Sequence, residues 1–136
     1  MLAEVNELRV QRALVPLQVS AGLTAAALQH SWEMAREGYF GHDTLDGLTL
    51  EARLIRYYPS AGHRFWSVGE NLAWASPELG ATRALQLWLR SPLHRENLFT
   101  RGWREIGIGA VHVDSAPGVF AGTPATIVTV DFGVRR

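Results

Sequence analysis

The sequence predicts an α+β domain in which helices pack on a small antiparallel sheet. Through the first two-thirds of the chain apolar residues recur every three or four positions between capping signals, and from Glu105 the period changes to two. Length supports the same picture. At 136 residues and 15.0 kDa the chain makes one ordinary domain, 1–136, large enough to bury roughly two-thirds of the surface its unfolded form exposes. No repeat, low-complexity tract or linker divides it.

Leu2, Val5 and Leu8 share a helical face and Pro16 bars continuation, which predicts a short first helix. Thr24 stands as the N-cap of a second, with Leu28, Trp32 and Ala35 as its apolar stripe and Gly38 at C′. This helix delivers the chain to Tyr39-Phe40-Gly41-His42. A third helix runs from Thr49 to Tyr57 with Leu50 and Leu54 on one face, until Pro59-Ser60-Ala61-Gly62 breaks it. Phe65 to Trp74 predicts a strand, with Gly69 as a bulge or a point of close approach. Ser76-Pro77-Glu78 offers a cap, an N1 proline and a first-turn acid for a helix to about Arg90 that buries Leu79 and Trp88. Ser91-Pro92 repeats the start signal for a short helix through His94 to Leu98. Beyond it, Ile106, Ile108 and Ala110 alternate with Gly107, Gly109 and Val111, and Ala125 to Phe132 is rich in β-branched residues. Asp114 to Pro124, with two prolines and two glycines, reads as the hairpin loop between these strands.

Composition excludes several classes of function. Thirteen basic and thirteen acidic residues cancel, leaving no global field to draw in nucleic acid or an anionic membrane. No apolar run approaches the ~18 residues of a membrane span. With no cysteine, disulfides, zinc thiolate sites and thiol nucleophiles are excluded together. The opening Met1-Leu2-Ala3-Glu4 carries an acid where the basic region of a signal peptide belongs. Two expectations follow: a cytoplasmic protein, or a domain cut from a longer precursor.

The candidate site rests on three residues far apart in the chain. Glu70 is a lone carboxylate in Gly69-Glu70-Asn71-Leu72-Ala73-Trp74, just ahead of an apolar run. His42 closes Tyr39-Phe40-Gly41-His42, and His94 lies in Trp88-Leu89-Arg90-Ser91-Pro92-Leu93-His94-Arg95-Glu96-Asn97. Two imidazoles and a carboxylate are the donor set of many divalent sites, with zinc the first choice for mixed nitrogen and oxygen ligands. The same groups suit general-base hydrolysis, although no G-x-S-x-G elbow is present. Each also has a structural use: Glu70 as an acceptor of backbone amides, His94 as a packing partner of Trp88. Trp66, Trp74, Trp88 and Trp103 read as core volume, and Tyr39, Tyr57 and Tyr58 as a rim. His30, His63 and His112 read as structural, His30 lying off the second helix's stripe.

In these segments the chain resembles the CAP superfamily (cysteine-rich secretory proteins, antigen 5, pathogenesis-related 1), most closely its cysteine-free bacterial branch. The Phe-x-His ending at His42, the GENLAW segment, the W-x-x-S-P-x-H-R-x-N run, Ile106-Gly107-Ile108-Gly109 and Val130-Asp131-Phe132-Gly133 occur in family order and cover nearly the whole chain. The resemblance implies a three-layer α-β-α sandwich and an extracellular or cell-envelope location. It also implies a cleft with two histidines and two acids, in which His42 and His94 are the metal-binding positions and Glu70 matches one acid. Ser91 stands where many eukaryotic members have the second glutamate. Ser91, Asn71, Arg95 and Asn97 are expected around the cleft.

Three functions are compatible with this pattern. One is a monomeric module binding a divalent cation (Zn2+ first) or a small-molecule, lipid or cell-wall ligand. Another is a metal-assisted, peptidase-like hydrolase using Glu70 with His42 and His94 as catalytic residues. The third is a non-catalytic scaffold.

Overall fold

A computed structural model describes all of residues 1–136. Five helices, α1 (Leu2–Val10), α2 (Ala21–Glu37), α3 (Leu50–Leu54), α4 (Ala81–Arg90) and α5 (Pro92–Leu98), accompany four strands, β1 (Gln18–Val19), β2 (Trp66–Ala75), β3 (Glu105–Ala116) and β4 (Thr123–Arg135). The sheet has the order β1-β3-β4-β2. β2, β4 and β3 pair antiparallel. The two-residue β1 pairs parallel with β3 at Glu105 and Ile106, an addition too short for period-two patterning to announce.

Side chains alternate across β4, and this separates the layers. Val128, Val130, Phe132 and Val134 pack with Val5 of α1, Leu85 and Trp88 of α4 and Leu98 of α5. On the opposite face, Ala125 and Ile127 pack with Met34 and Ala35 of α2, while Leu54 and Tyr58 close the end beside Leu23 and Ala26. The result is the α-β-α sandwich, with α1, α4 and α5 on one side and α2 and α3 on the other. β4 lies in the middle and reads as a continuous buried run because both faces are covered.

Helix α2 departs from its expected orientation. Its N-cap is Ser20, whose hydroxyl accepts from Leu23 N, and the helix starts before Thr24. Its buried face is Leu23, Ala26, Ala27, His30, Ser31, Met34 and Ala35, whereas Leu28 and Trp32 remain 42% and 51% exposed. The cause lies in β3. A Cβ on Gly107 would stand 2.0 Å from the Leu23 carbonyl carbon, and one on Gly109 would stand 2.3 Å from Leu28 N. The helix therefore rides on bare strand backbone, only small side chains fit at the crossing, and the large ones turn outward. His30, expected off the stripe, is fully buried on it.

Other boundaries shift less. Thr49, expected as the first residue of the third helix, is its N-cap through its hydroxyl, and the helix stops at Leu54. Gly80, not Ser76, is the N-cap of α4, and Ser76-Pro77 is a cis bond ahead of it. Leu79 and Trp88 are buried as the sequence requires. The β3–β4 loop is shorter than expected, since the strands reach Ala116 and Thr123 around the turn Gly118–Phe120. Gly69 is a point of close approach: β2 runs in unbroken register with β4, and a Cβ there would meet the Asn97 amide and the Trp103 ring at 2.8 Å. Tyr58, expected at a rim, is fully buried, with its hydroxyl donating to Glu105.

Candidate functional site

Glu70 projects from β2 toward the α2–α3 layer, opposite Asp131 of β4. Its carboxylate is wholly buried. His42 Nδ1 donates to one oxygen at 2.7 Å and Arg53 Nη2 to the other at 2.5 Å. Both oxygens are engaged. Burial alone pushes this carboxyl up, but the His42 hydrogen bond and the Arg53 charge outweigh burial and hold it below the usual range.

Arg53 reaches Glu70 because α3 is pinned at both ends, by its Thr49 cap and by the buried Leu54. Arg53 Nη1 also lies 3.9 Å from Asp131 Oδ2. No donor is seated on either Asp131 oxygen, and Arg53 Nε and Nη1 have no hydrogen-bond partner. Burial and the adjacent Glu70 charge push Asp131 well above its usual range, against the opposing charge of Arg53. Burial and the Glu70 charge thus favour the protonated form of Asp131.

This assignment has a pH signature. The folded state keeps the Asp131 proton at pH values where the unfolded chain has released it, so wild type loses stability as pH rises from the ordinary carboxylate range through the raised value. Asp131→Asn cannot ionise and keeps the size of the side chain. Denaturant unfolding at about pH 4 and about pH 8 is expected to show the variant gaining on wild type with rising pH. A variant that instead loses ground at the higher pH would mean that Asp131 is charged and pairs with Arg53.

His42 occupies the loop after α2, where Gly38 ends the helix in the left-handed conformation. Its side chain is half exposed. The hydrogen bond to Glu70 raises its basicity against the opposing effect of burial. His30 fixes this loop from below, its Nε2 donating to the Gly41 carbonyl at 2.9 Å. A carbonyl can only accept, so Nε2 carries the hydrogen, and burial pushes the ring down toward its neutral form. Tyr39 stands beside it, its hydroxyl 3.5 Å from His30 Nδ1.

His94 arrives from the other side of β2. Trp88 Nε1 donates to the Leu72 carbonyl at 2.8 Å, Asn97 Nδ2 to the Glu70 carbonyl at 3.0 Å, and Asn71 Nδ2 to the His94 carbonyl at 2.9 Å. These bonds stitch α4 and α5 to the free edge of β2. His94 Nδ1 is 2.8 Å from Ser91 Oγ, so the Ser91 hydroxyl serves His94 and does not cap α5. Burial lowers the His94 basicity, and the charge of His42 lowers it further.

Between these elements lies a cleft of about 230 Å³ bordered by Phe40, Leu72, Trp74, Leu87, Ser91 and His94, with Trp88 and Ala73 beneath. Of the residues expected around it, Ser91 lines it directly. Asn71 and Asn97 hold its frame. Arg95 is exposed on α5 and takes no part in the lining. Arg53, Asp131 and His30 complete the polar network without having been expected there. A larger hollow of about 480 Å³ beside Glu33, Glu37, Asp46 and Arg56 lies apart from these residues.

The donor set does not match a divalent cation. An open zinc site uses three protein ligands, yet no group of three His, Cys, Asp or Glu side chains is placed to hold a metal ion. Glu70 has both oxygens engaged, which leaves Nε2 of His42 and of His94, two donors where three are needed. Ser91 offers a hydroxyl where a second carboxylate would be needed.

Comparison with known proteins places the architecture. The model of the cysteine-rich secretory protein family, CAP, matches residues 2–132. The Bacillus subtilis membrane protein YlbC is 30% identical over 105 residues, 76% of this chain and 28% of that protein. YkwD of the same organism is 28% identical over 112 residues, 81% of this chain and 40% of its own length. The chain thus spans less than half the length of these curated relatives. Among solved structures, an extracellular protein containing an SCP domain from Bacillus anthracis superposes with a TM-score of 0.71 at 29% identity, over 97% of this chain and 38% of that one. An outer surface protein of Borrelia burgdorferi gives 0.77 at 24% identity, over 99% and 90%. No helix is long and apolar enough to cross a membrane.

Proposed function

Because the chain belongs to the cysteine-rich secretory protein (CAP) family, we propose that it is an extracellular or cell-envelope module that binds a small lipid or cell-wall molecule in the cleft beside His94. The location rests on the extracellular and outer-surface relatives. The observation that carries the binding role is the cleft itself, a concavity walled by Phe40, Leu72, Trp74 and Leu87 with polar groups, Ser91 and His94, on its border. An apolar hollow with a few placed polar groups is the usual form of a small-molecule site.

Catalysis by Glu70 is not favoured by the geometry. A general base needs a free lone pair within reach of water, and both Glu70 oxygens face donors in the protein interior. Ser91 and His94 form a hydrogen-bonded pair, but no carboxylate orients His94, and the neighbouring His42 disfavours a proton on it.

Filling the cleft tests the binding role. Leu87 is 42% exposed, so Leu87→Trp is expected to fold normally while occupying the hollow. Titration with octanol, followed through the indole NMR signals of Trp74 and Trp88, is expected to shift both in wild type and neither in the variant. Equal shifts in the two proteins would remove the cleft as the binding place.

Metal can be tested separately. Calorimetric titration with zinc is expected to show no saturable site in wild type. Ser91→Glu, three residues before His94 and so on the same side of its helix, is expected to create one that His94→Ala removes. A saturable wild-type site lost in His42→Ala and in His94→Ala would reverse this reading.

A further inference from the structure

The cleft has a sign. None of the eight residues that line it is an acid. The acid closest to the histidines in the network, Glu70, is sealed under His42 and Arg53, and Asp131 lies deeper still, wholly buried in the central strand. At the position where a second acid would face His94 the chain has Ser91, whose hydroxyl can donate as well as accept. A cationic head entering here would meet no counter-charge, and a neutral head would accept without charge assistance.

We infer that the cleft accepts an amphiphile with an anionic head, a carboxylate or a phosphate, seated at Ser91 and His94 with its chain along Leu72, Trp74 and Leu87. This deepens the binding role proposed above and depends on it. Two features of the site agree. Ser91 and His94 stand 2.8 Å apart at the cleft border; one of the two hydrogens of the neutral pair is spent on the bond between them, and the other is free to donate to an anionic head. The walls behind are apolar, and each methylene buried against them tightens binding roughly fourfold.

The test uses four probes on the wild-type protein, read through the Trp74 and Trp88 indole signals: octanoate, octanol, octyltrimethylammonium and acetate. Octanoate is expected to bind more tightly than octanol by about tenfold, the worth of one charge-assisted hydrogen bond, and the ammonium probe more weakly than either. In Ser91→Ala, which keeps the cleft walls, octanoate should lose more affinity than octanol, so that the advantage of octanoate falls severalfold. Octanol matching or exceeding octanoate would overturn the anion preference while leaving the apolar cleft standing. Failure of every octyl probe would overturn both. Acetate binding as tightly as octanoate would show a free-anion site and overturn the amphiphile. Octyl phosphate against inorganic phosphate repeats the comparison for the second head group.

Discussion

Arg53→Met is expected to destabilise the protein by about 3–5 kcal/mol, the usual cost of removing one partner from a buried ion pair. Glu70 has no solvent exposure and Arg53 supplies one of its two donors. Without Arg53, the carboxylate keeps only His42 and must either remain charged in an apolar interior or take up a proton. The double variant Arg53→Met with Glu70→Gln should recover most of the loss, because replacing both partners removes the uncompensated charge. The measurement is the urea midpoint of wild type, the two single variants and the double. A loss below about 1 kcal/mol, the range of exposed pairs, would mean that water reaches this pair.

The second large effect is expected at Gly107. An added Cβ would sit 2.0 Å from the Leu23 carbonyl carbon and 2.2 Å from Thr24 N, and helix backbone cannot step aside as a flexible side chain can. Gly107→Ala is therefore expected to cost about 3 kcal/mol or more, at or above the top of the ordinary overpacking range. Gly102, with nothing within 4 Å of its missing Cβ, is the control, and Gly102→Ala should stay within about 0.5 kcal/mol. Thermal unfolding of both variants checks this. A mild effect at Gly107 would show that α2 is free to lift from the sheet.

Much of the fold was legible because its signals are local. Leu50 and Leu54 fall in α3, Ser91-Pro92 opens α5, and the strand predicted over 125–132 lies within β4. The face of α2 was not legible, since it depends on two glycines some eighty residues away. Leu28 and Trp32 are larger than Ala26 and Ala27, so an apolar stripe drawn from the helix alone selects the wrong side. The same error hid His30, which follows Ala26 and Ala27 at helical spacing and shares their buried face.

The site divides in the same way. Glu70, His42 and His94 could be picked out as polar residues in distinctive segments, but not their partners. Arg53 had a usable signal, since it lies three residues after Leu50 and next to Leu54 in a helix of five residues. Asp131 had another, the one charged residue inside a β-branched run. Neither signal says that the two converge on Glu70, because that depends on the β2–β4 register and on how α3 docks. The engagement of both Glu70 oxygens depends on the same convergence, and it separates a structural carboxylate from a ligand or a base.

The bonds from Trp88 and Asn97 to the β2 carbonyls also bear on self-association. An edge strand with open backbone groups recruits other strands, and β2 is ten residues long at the sheet margin. The carbonyls of Glu70 and Leu72, its outward acceptors in mid-strand, are already occupied by side chains. A foreign strand would have to displace an indole and an amide that also hold α4 and α5 in place. The stitches that bring His94 to the cleft thus guard this edge against amyloid-like growth.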